Sequence, residues 1–373
     1  MTVAVWGVGT SRFGRQPDRS AVELAWDAVQ EALADASVEE VDAAYVGTVF
    51  EAPGVAQRAL SGIGLTGIPI VTVENACASG TTAFHEAREA VRTGRYERVL
   101  ALGVEHLTSR FDGPITPERT DPEQASGLLL PALYALSASR YMADHGATPA
   151  DFARVSVKNS RHGALNPRAG RRGAVTEEEV LCSRMIAEPL TLYQCAGLSD
   201  AAAAAVLGPA RRGEHDVPVR ASVLRSGTPW DQRSAHVWGY DIVQATSARA
   251  YEEAGIGPAD VDVLEVHDAF TVGEIVTVEA LGLAEFGGAC RRVASGELSL
   301  GGDQPVNPSG GLLSRGHPLG ATGLAQIAEL TWQLRGEAGE RQVPGARTAL
   351  VETMGGGASG VDGNGCVVAV LGG

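Results

Sequence analysis

Two stretches far apart in the chain read as copies of one another. "ADASVEEVDAAYVGTV" at 34–49 and "EEAGIGPADVDVLEVHDAF" at 252–270 each leave a helix end, cross an acidic turn, pass Val-Asp and enter an apolar strand. Val41-Asp42 and Val261-Asp262 fall at matching points. Units that alternate strand and helix bury their apolar faces by layering. The repeat therefore predicts two α/β halves of one plan, related by pseudo-twofold symmetry. A second pair of stretches fits that plan. "VENACASGTTAFHEAREAVRTG" at 73–94 and "SRGHPLGATGLAQIAELTWQLRG" at 314–336 are both corners rich in small residues that feed a helix. One corner carries Cys77 and the other His317. In a duplicated fold such corners can meet at the centre, so that both halves supply one site.

The pass along the chain supports this layout. "TVAVWGV" reads as a first strand. Ser20 with Glu23 forms a capping box for a helix whose buried face is predicted as Val22, Ala25, Trp26, Val29 and Leu33. Strands follow at "AAYVGTV", before Cys77 and at "RVLALGV" (98–104). From Leu107 to Leu198 the character changes. A turn-rich polar run, a helix in "PALYALSASRYMADHG" and a basic, loop-like "KNSRHGALNPRAGRRGAV" read as an insertion over the core, with Glu178 and Glu179 at a solvated helix start. "DAAAAAVLG" restores a strand from Asp200. The expected domains are 1–107, completed by 198–215; an inserted loop domain, 108–197; and a second half, 216–373.

Composition narrows the function classes. With 44% hydrophobic and 20% charged residues in 373, the chain is a mixed globular one, long enough for two cores. A formal net charge of −15 argues against non-specific binding of nucleic acid or an anionic membrane. The longest apolar run is far too short to span a bilayer. The five cysteines, at 77, 182, 195, 290 and 366, show no zinc-ligand spacing, so no metal is expected. Reduced thiols and the lack of a leader pattern point to the cytoplasm. "GVGTSRFG" lacks the third glycine of a dinucleotide fingerprint, and no helix follows at once.

Three positions are chemical candidates. Ile68, Ile70, Val71 and Val73 read as a buried strand and Ala83, Ala87, Ala90 and Val91 as a helix face, with Cys77 between them. There the positive helix end lowers a thiol's pKa and favours the thiolate. A free cysteine is also a common core residue, and spacing alone leaves both readings open. His267 ends an apolar strand in "EVHDAF", where α/β sites lie. His317 sits in a tight glycine-rich loop before a helix. A lone histidine is usually structural, the commoner reading for His267, whereas the glycine-rich setting of His317 favours function.

Taken together, "VWGVGTSRFGR", "NACASGTTAFHEA", "VKNSRHGALNP", "LSDAAAAAVL", "EVHDAF", "NPSGGLLSRGHPLGATG" and "ETMGGGASG" resemble the thiolase superfamily, most closely the sterol-carrier-protein-type thiolases and their bacterial and archaeal relatives. The resemblance runs over nearly the whole chain. It implies a five-layered α-β-α-β-α fold with an inserted loop domain. It also implies a thiolase-like acyl-CoA C-acyltransferase that cleaves a 3-ketoacyl-CoA or runs the reverse Claisen condensation. Cys77 would carry the acyl group, His317 would exchange the thiol proton, and His267 would polarise the second thioester carbonyl. Gly355, Gly356 and Gly357 would offer backbone N–H groups to the oxyanion. Coenzyme A and acyl-CoA are then substrates, with no permanent cofactor. Arg161, Arg168, Arg171 and Arg172 would hold the nucleotide phosphates, unless they simply form a solvated loop. A homodimer or tetramer, and a small OB-fold zinc-ribbon partner subunit, are further implications. The chain departs from the pattern where a second cysteine is usual, with Ala269 at one of its places and Thr353 at the other. A retro-aldolase acting on a 3-hydroxyacyl-CoA, or a non-catalytic acyl-CoA-binding subunit, are the competing expectations. The low aromatic content, 5%, suggests an aliphatic acyl pocket.

Overall fold

The computed structural model describes residues 1–115, 120–211 and 215–373; residues 116–119 of the expected insertion and 212–214 of the expected segment 198–215 lie outside the described residues. The first half comprises β1 (Val3–Thr10), α1 (Ala21–Ala36), β2 (Ala43–Gly47), α2 (Val55–Ser61), β3 (Ile70–Val73), α3 (Ser79–Arg92) and β4 (Val99–His106). The chain then passes through α4 (Pro122–Ala125), α5 (Leu130–His145), α6 (Pro149–Ala164), α7 (Glu177–Cys182), β5 (Met185–Ala187) and β6 (Leu190–Thr191), and returns in β7 (Asp200–Pro209). The second half holds β8 (Val217–Arg225), α8 (Tyr240–Ala254), β9 (Val263–Glu265), α9 (Thr271–Ala280), α10 (Ala289–Ser295), α11 (Gly311–Ser314), α12 (Leu319–Arg335), β10 (Thr348–Gly355) and β11 (Gly365–Gly372).

Nine of the eleven strands among the described residues form one sheet in the order β3-β2-β4-β7-β1-β8-β11-β10-β9, and β5 pairs with β6 in a separate two-stranded sheet. The order reads the same from either end once β8 is matched with β1, β9 with β2, β10 with β4 and β11 with β7. A parallel bridge from Leu264 to Val306 stands where β3 would be matched. The seam is the antiparallel contact of Ala4 with Pro218 and Val5 with Val217. The repeated Val-Asp has a physical reason. Asp42 accepts the N–H groups of Glu97 and Arg98 at the start of β4, and Asp262 those of Arg347 and Thr348 at the start of β10. Each aspartate anchors the neighbouring parallel strand of its own half.

Alternation along the strands makes the layers. In β4 and β7, Leu100, Leu102, Ala202, Ala204 and Val206 join a core with α1 and α2. Ala101, Ala203 and Ala205 face a second core with Phe84 of α3, Leu324 and Ile327 of α12, and Val351 and Ala369 of the other half. Leu350, Val368 and Val370 face a third core with α8, α9 and the insertion. The result is α-β-α-β-α, with α3 and α12 in the middle.

Three local expectations are corrected. The buried face of α1 is Ala21, Leu24, Ala25, Ala28, Val29, Ala32 and Ala36, while Val22, Trp26 and Leu33 are only partly buried. The rotation follows from β1. A Cβ on Gly7 or Gly9 would lie 2.4 Å from the carbonyl oxygens of Ala32 and Ala28, so the helix lies directly on the strand with its alanines inward. That packing also accounts for the first two glycines of "GVGTSRFG", Gly7 and Gly9. Second, β3 is an edge strand and Val71 is 44% exposed, not buried. Third, residues 158–164 belong to α6, where Lys158, Asn159 and His162 are buried and hydrogen-bond to Val306, Asp268 and Asn307 of the second half.

Candidate active site

Cys77 lies two residues before α3, on a tight elbow. Ala76 adopts φ 49°, a left-handed conformation that costs an alanine about 1–2 kcal/mol. Ser79 holds the elbow by accepting the N–H of Asn75 at 2.9 Å and donating to the Ala76 carbonyl at 2.6 Å. The end of β10 passes over it so closely that a Cβ on Gly355 would lie 2.0 Å from the Asn75 carbonyl oxygen. This contact brings the next N–H, that of Gly356, near enough to Cys77 to favour the thiolate.

His317 is delivered by the loop between α11 and α12, which a bridge to Leu198 ties to the start of β7. Its Nδ1 lies 2.8 Å from Thr322 Oγ1. His267 follows β9, and its ring centroid is 5.1 Å from that of His317, edge to face. One donor atom each from Cys77, His267 and His317 lie within 4.8 Å of one another. The corner residues of both halves thus come together with the histidine that ends the repeated strand.

Burial pushes the Cys77 thiol up to about 12, helped by the nearby Glu105 carboxyl and opposed by backbone N–H groups including that of Gly356. Burial likewise holds His267 down to about 3 and His317 well below the ordinary range, the latter also through His267 and Arg315. The expected resting thiolate is therefore corrected: desolvation outweighs the helix end, and the pair rests as thiol and neutral imidazole. Such a pair can still act, because the proton moves to the imidazole as sulfur attacks. Alkylation of Cys77 by iodoacetamide is expected to accelerate continuously from pH 6 to 9. A plateau across that range, followed by the mass of the labelled protein, would reveal a pre-formed ion pair instead.

A buried network holds the turn that carries His267. The backbone N–H of His267 donates to Glu352 at 2.9 Å, and that of Val266 donates to Asn307 Oδ1 at 2.8 Å. Asp268 accepts from Leu312 N–H at 2.7 Å and from Asn159 Nδ2 at 2.8 Å. Asn159 and Asn307 both donate to Glu274, which faces Lys158 Nζ at 3.1 Å. Of these groups the sequence singled out only Asp268, as the neighbour of His267. For Asn159 the one signal was spacing, since Phe152, Val155 and Asn159 fall on a single face of α6. Thr322 and Glu105 were missed as well. Glu105 accepts the N–H groups of Val49, Phe50 and Gly320, fastening α12 to the first half.

The wall beside His267 combines aromatic with aliphatic side chains, Val272 and Val276 among the latter. Tyr134 of the insertion stacks on Phe270 with centroids 4.4 Å apart and meets Trp238 edge-on at 5.5 Å. Tyr134, Trp238, Met354 and His267 line one small cavity, and Trp238 also lines a second with Leu130, Leu133, Trp230 and Gly357. A chain-wide aromatic fraction carries no information on where the rings gather. The four arginines have different surroundings. Arg168 pairs with Glu31 of α1 and donates to the Thr10 carbonyl. Arg171 lies 5.1 Å over the Tyr193 ring, Arg161 lines a cleft between α6 and α10, and Arg172 is exposed.

Comparison with known proteins agrees with this architecture. The family description "Thiolase, N-terminal domain" matches residues 5–211, and "Thiolase C-terminal domain-like" matches 231–362. An acetyl-CoA acetyltransferase of Methanothermobacter thermautotrophicus is 42% identical over 368 residues, covering 95% of this chain and 96% of its own. Sterol carrier protein 2 of Gallus gallus is 40% identical over 379 residues, covering 95% of this chain and 69% of its own. A solved structure titled Ltp2-ChsH2(DUF35) aldolase superposes with a TM-score of 0.85 at 26% identity, covering 100% of this chain and 97% of that one. No helix among the described residues is long and apolar enough to cross a membrane. With the family match running through both halves, and with an acetyltransferase among relatives that align end to end, the chain belongs to the thiolase family and is an acyltransferase of the thiolase type.

Proposed function

We propose that this chain transfers acyl groups between coenzyme A thioesters through an acyl-Cys77 intermediate, cleaving a 3-ketoacyl-CoA with coenzyme A or running the condensation in reverse. The observation that carries this reading is the approach of Cys77, His267 and His317 to within 4.8 Å, beside the Gly356 N–H. As Cys77 attacks the thioester carbonyl, its proton passes to His317, and charge grows on the carbonyl oxygen. Backbone N–H groups of Gly355, Gly356 and Gly357 are the donors for that oxyanion. His267 donates to the carbonyl of the second thioester. Coenzyme A is a substrate, with no permanent cofactor. Arg161 and Arg172 are the basic groups left for its phosphates, since Arg168 and Arg171 are engaged elsewhere.

The unpaired edge of β3 with its exposed Val71 supports assembly of copies as a dimer or tetramer. The likeness to a solved complex whose title includes a DUF35 component supports a small OB-fold zinc-ribbon partner. Five unpaired cysteines suit a reducing compartment, the cytoplasm in our reading. The same likeness favours one second reading, a retro-aldolase acting on a 3-hydroxyacyl-CoA.

One experiment separates them. The protein is mixed with 3-ketoacyl- and 3-hydroxyacyl-CoA thioesters without free coenzyme A, and its intact mass is recorded beside Cys77→Ala. An acyl-sized gain, absent in the variant, is expected. Cleavage of a 3-hydroxyacyl-CoA without any adduct, undiminished in Cys77→Ala, would replace the acyltransferase reading with the retro-aldolase.

A further inference from the structure

Carbon–carbon bond formation onto acyl-Cys77 needs a second proton transfer, from the α-carbon of the incoming acyl-CoA, and this inference rests on the reading above. The base must present a lone pair to the cavity, and most candidates do not. Ala269 has none. Thr353 donates its hydroxyl to Gln326 Oε1 at 2.5 Å. Glu352 accepts from the His267 N–H and lies 3.8 Å from the Cys366 sulfur, and Glu105 is filled by three backbone donors. Burial keeps the Tyr134 phenol protonated, its pKa well above the ordinary value.

The two histidines differ in where their proton sits. His267 Nδ1 is buried with no hydrogen-bond partner. A proton there would be an orphaned donor in an apolar surround, which is costlier than an unfilled lone pair. The proton belongs on Nε2, making His267 a donor toward a carbonyl oxygen. His317 is the reverse case. Thr322 Oγ1 donates to the Pro318 carbonyl at 3.2 Å, so toward His317 Nδ1, at 2.8 Å, it accepts. Nδ1 then carries the proton and Nε2 keeps its lone pair.

We propose that His317 performs both proton transfers in turn, with Thr322 as the positioning residue that keeps its Nε2 lone pair available. In the first half, Nε2 takes the Cys77 proton as the sulfur–acyl bond forms, and returns it to the departing coenzyme A thiolate. Neutral again, Nε2 takes the α-proton of the second acyl-CoA, whose electron pair becomes an enolate hydrogen-bonded to His267. The enolate forms the carbon–carbon bond with the acyl carbon, the bond to Cys77 breaks, and the Cys77 thiolate recovers the proton from His317. One lone pair serves two steps because coenzyme A leaves between them.

The test is exchange of α-protons for deuterium in acetyl-, propionyl- and succinyl-CoA, followed by mass in D2O. Exchange is expected in the wild type, and is expected to fall about 100-fold or more in His317→Asn. Thr322→Val should slow exchange about tenfold through loss of the favoured tautomer, and Thr322→Ser should restore it. Wild-type levels of exchange in His317→Asn, or adduct-forming enzyme that exchanges none of the three, would overturn the assignment. Exchange lost in Cys77→Ala yet kept in His317→Asn would make the sulfur the base and overturn it equally. The acyltransferase reading fails separately, by absence of the adduct.

Discussion

Cys77→Ser is expected to lower kcat/KM for coenzyme-A-dependent cleavage on the order of 10^4-fold while leaving the melting temperature nearly unchanged. The substitution keeps the size and the hydrogen-bonding capacity of the side chain, so the elbow, the Ser79 bonds and the Gly355 approach survive. The chemistry does not. Burial pushes the thiol up to about 12, and the same surroundings push a serine hydroxyl higher still, beyond what a histidine held neutral by desolvation can deprotonate. Any acyl group that did reach the oxygen would form an ester, a poorer donor to coenzyme A than the thioester it replaces. Initial rates beside a thermal melt check both halves of the expectation. A stable Cys77→Ser enzyme keeping a tenth of the rate would exclude Cys77 as the acyl carrier.

Arg315→Met is expected to cost about 3–5 kcal/mol of folding stability, because it strips one partner from a buried ion pair and leaves the other uncompensated. Arg315 is 1% exposed, its Nη1 lies 3.0 Å from Glu265 Oε2, and Glu265 also accepts from Ser309. The pair joins the end of β9, two residues before His267, to the residue two before His317. Burial raises the Glu265 carboxyl above its ordinary range, and Arg315 opposes that rise. A carboxyl whose folded pKa is raised contributes stability at low pH that is lost as pH climbs through the folded value. Without Arg315 the folded value climbs further, so the penalty should grow from pH 5 to pH 8. Urea unfolding across that range measures it. Arg315→Met combined with Glu265→Met should recover most of the loss, whereas a pH-independent cost would mean that the guanidinium's place 5.5 Å over the Phe13 ring, not its charge pairing, is what the arginine contributes.

Much of the architecture was legible because local chemistry repeats with it. Val41-Asp42 and Val261-Asp262 stand out since each aspartate has the same backbone task, and Cys77, His267 and His317 stand out since each ends a strand or opens a helix. The parts that misread have a common cause. Periodicity ranks residues by hydrophobicity, but α1 turns its alanines inward because Gly7 and Gly9 bring its backbone onto β1. The edge position of β3 depends on which strands pair, which an apolar run does not encode. Charge behaves likewise: Arg168 looked free in the sequence, yet Glu31, a distant residue, claims it. The resting state of Cys77 was misjudged because the helix end is a local feature, whereas desolvation is supplied by both halves at once.

The insertion leaves the sheet after His106 and returns at Asp200, residues that face each other across the β4–β7 ladder. Everything between leaves and rejoins the sheet at one point, yet it is bound into the site as well: it sends Tyr134 to the wall beside His267, and Lys158 and Asn159 into the network that holds the His267 turn. A graft exchanged at those two residues would therefore have to keep Lys158 and Asn159, because the segment that shapes the pocket also braces the catalytic turn.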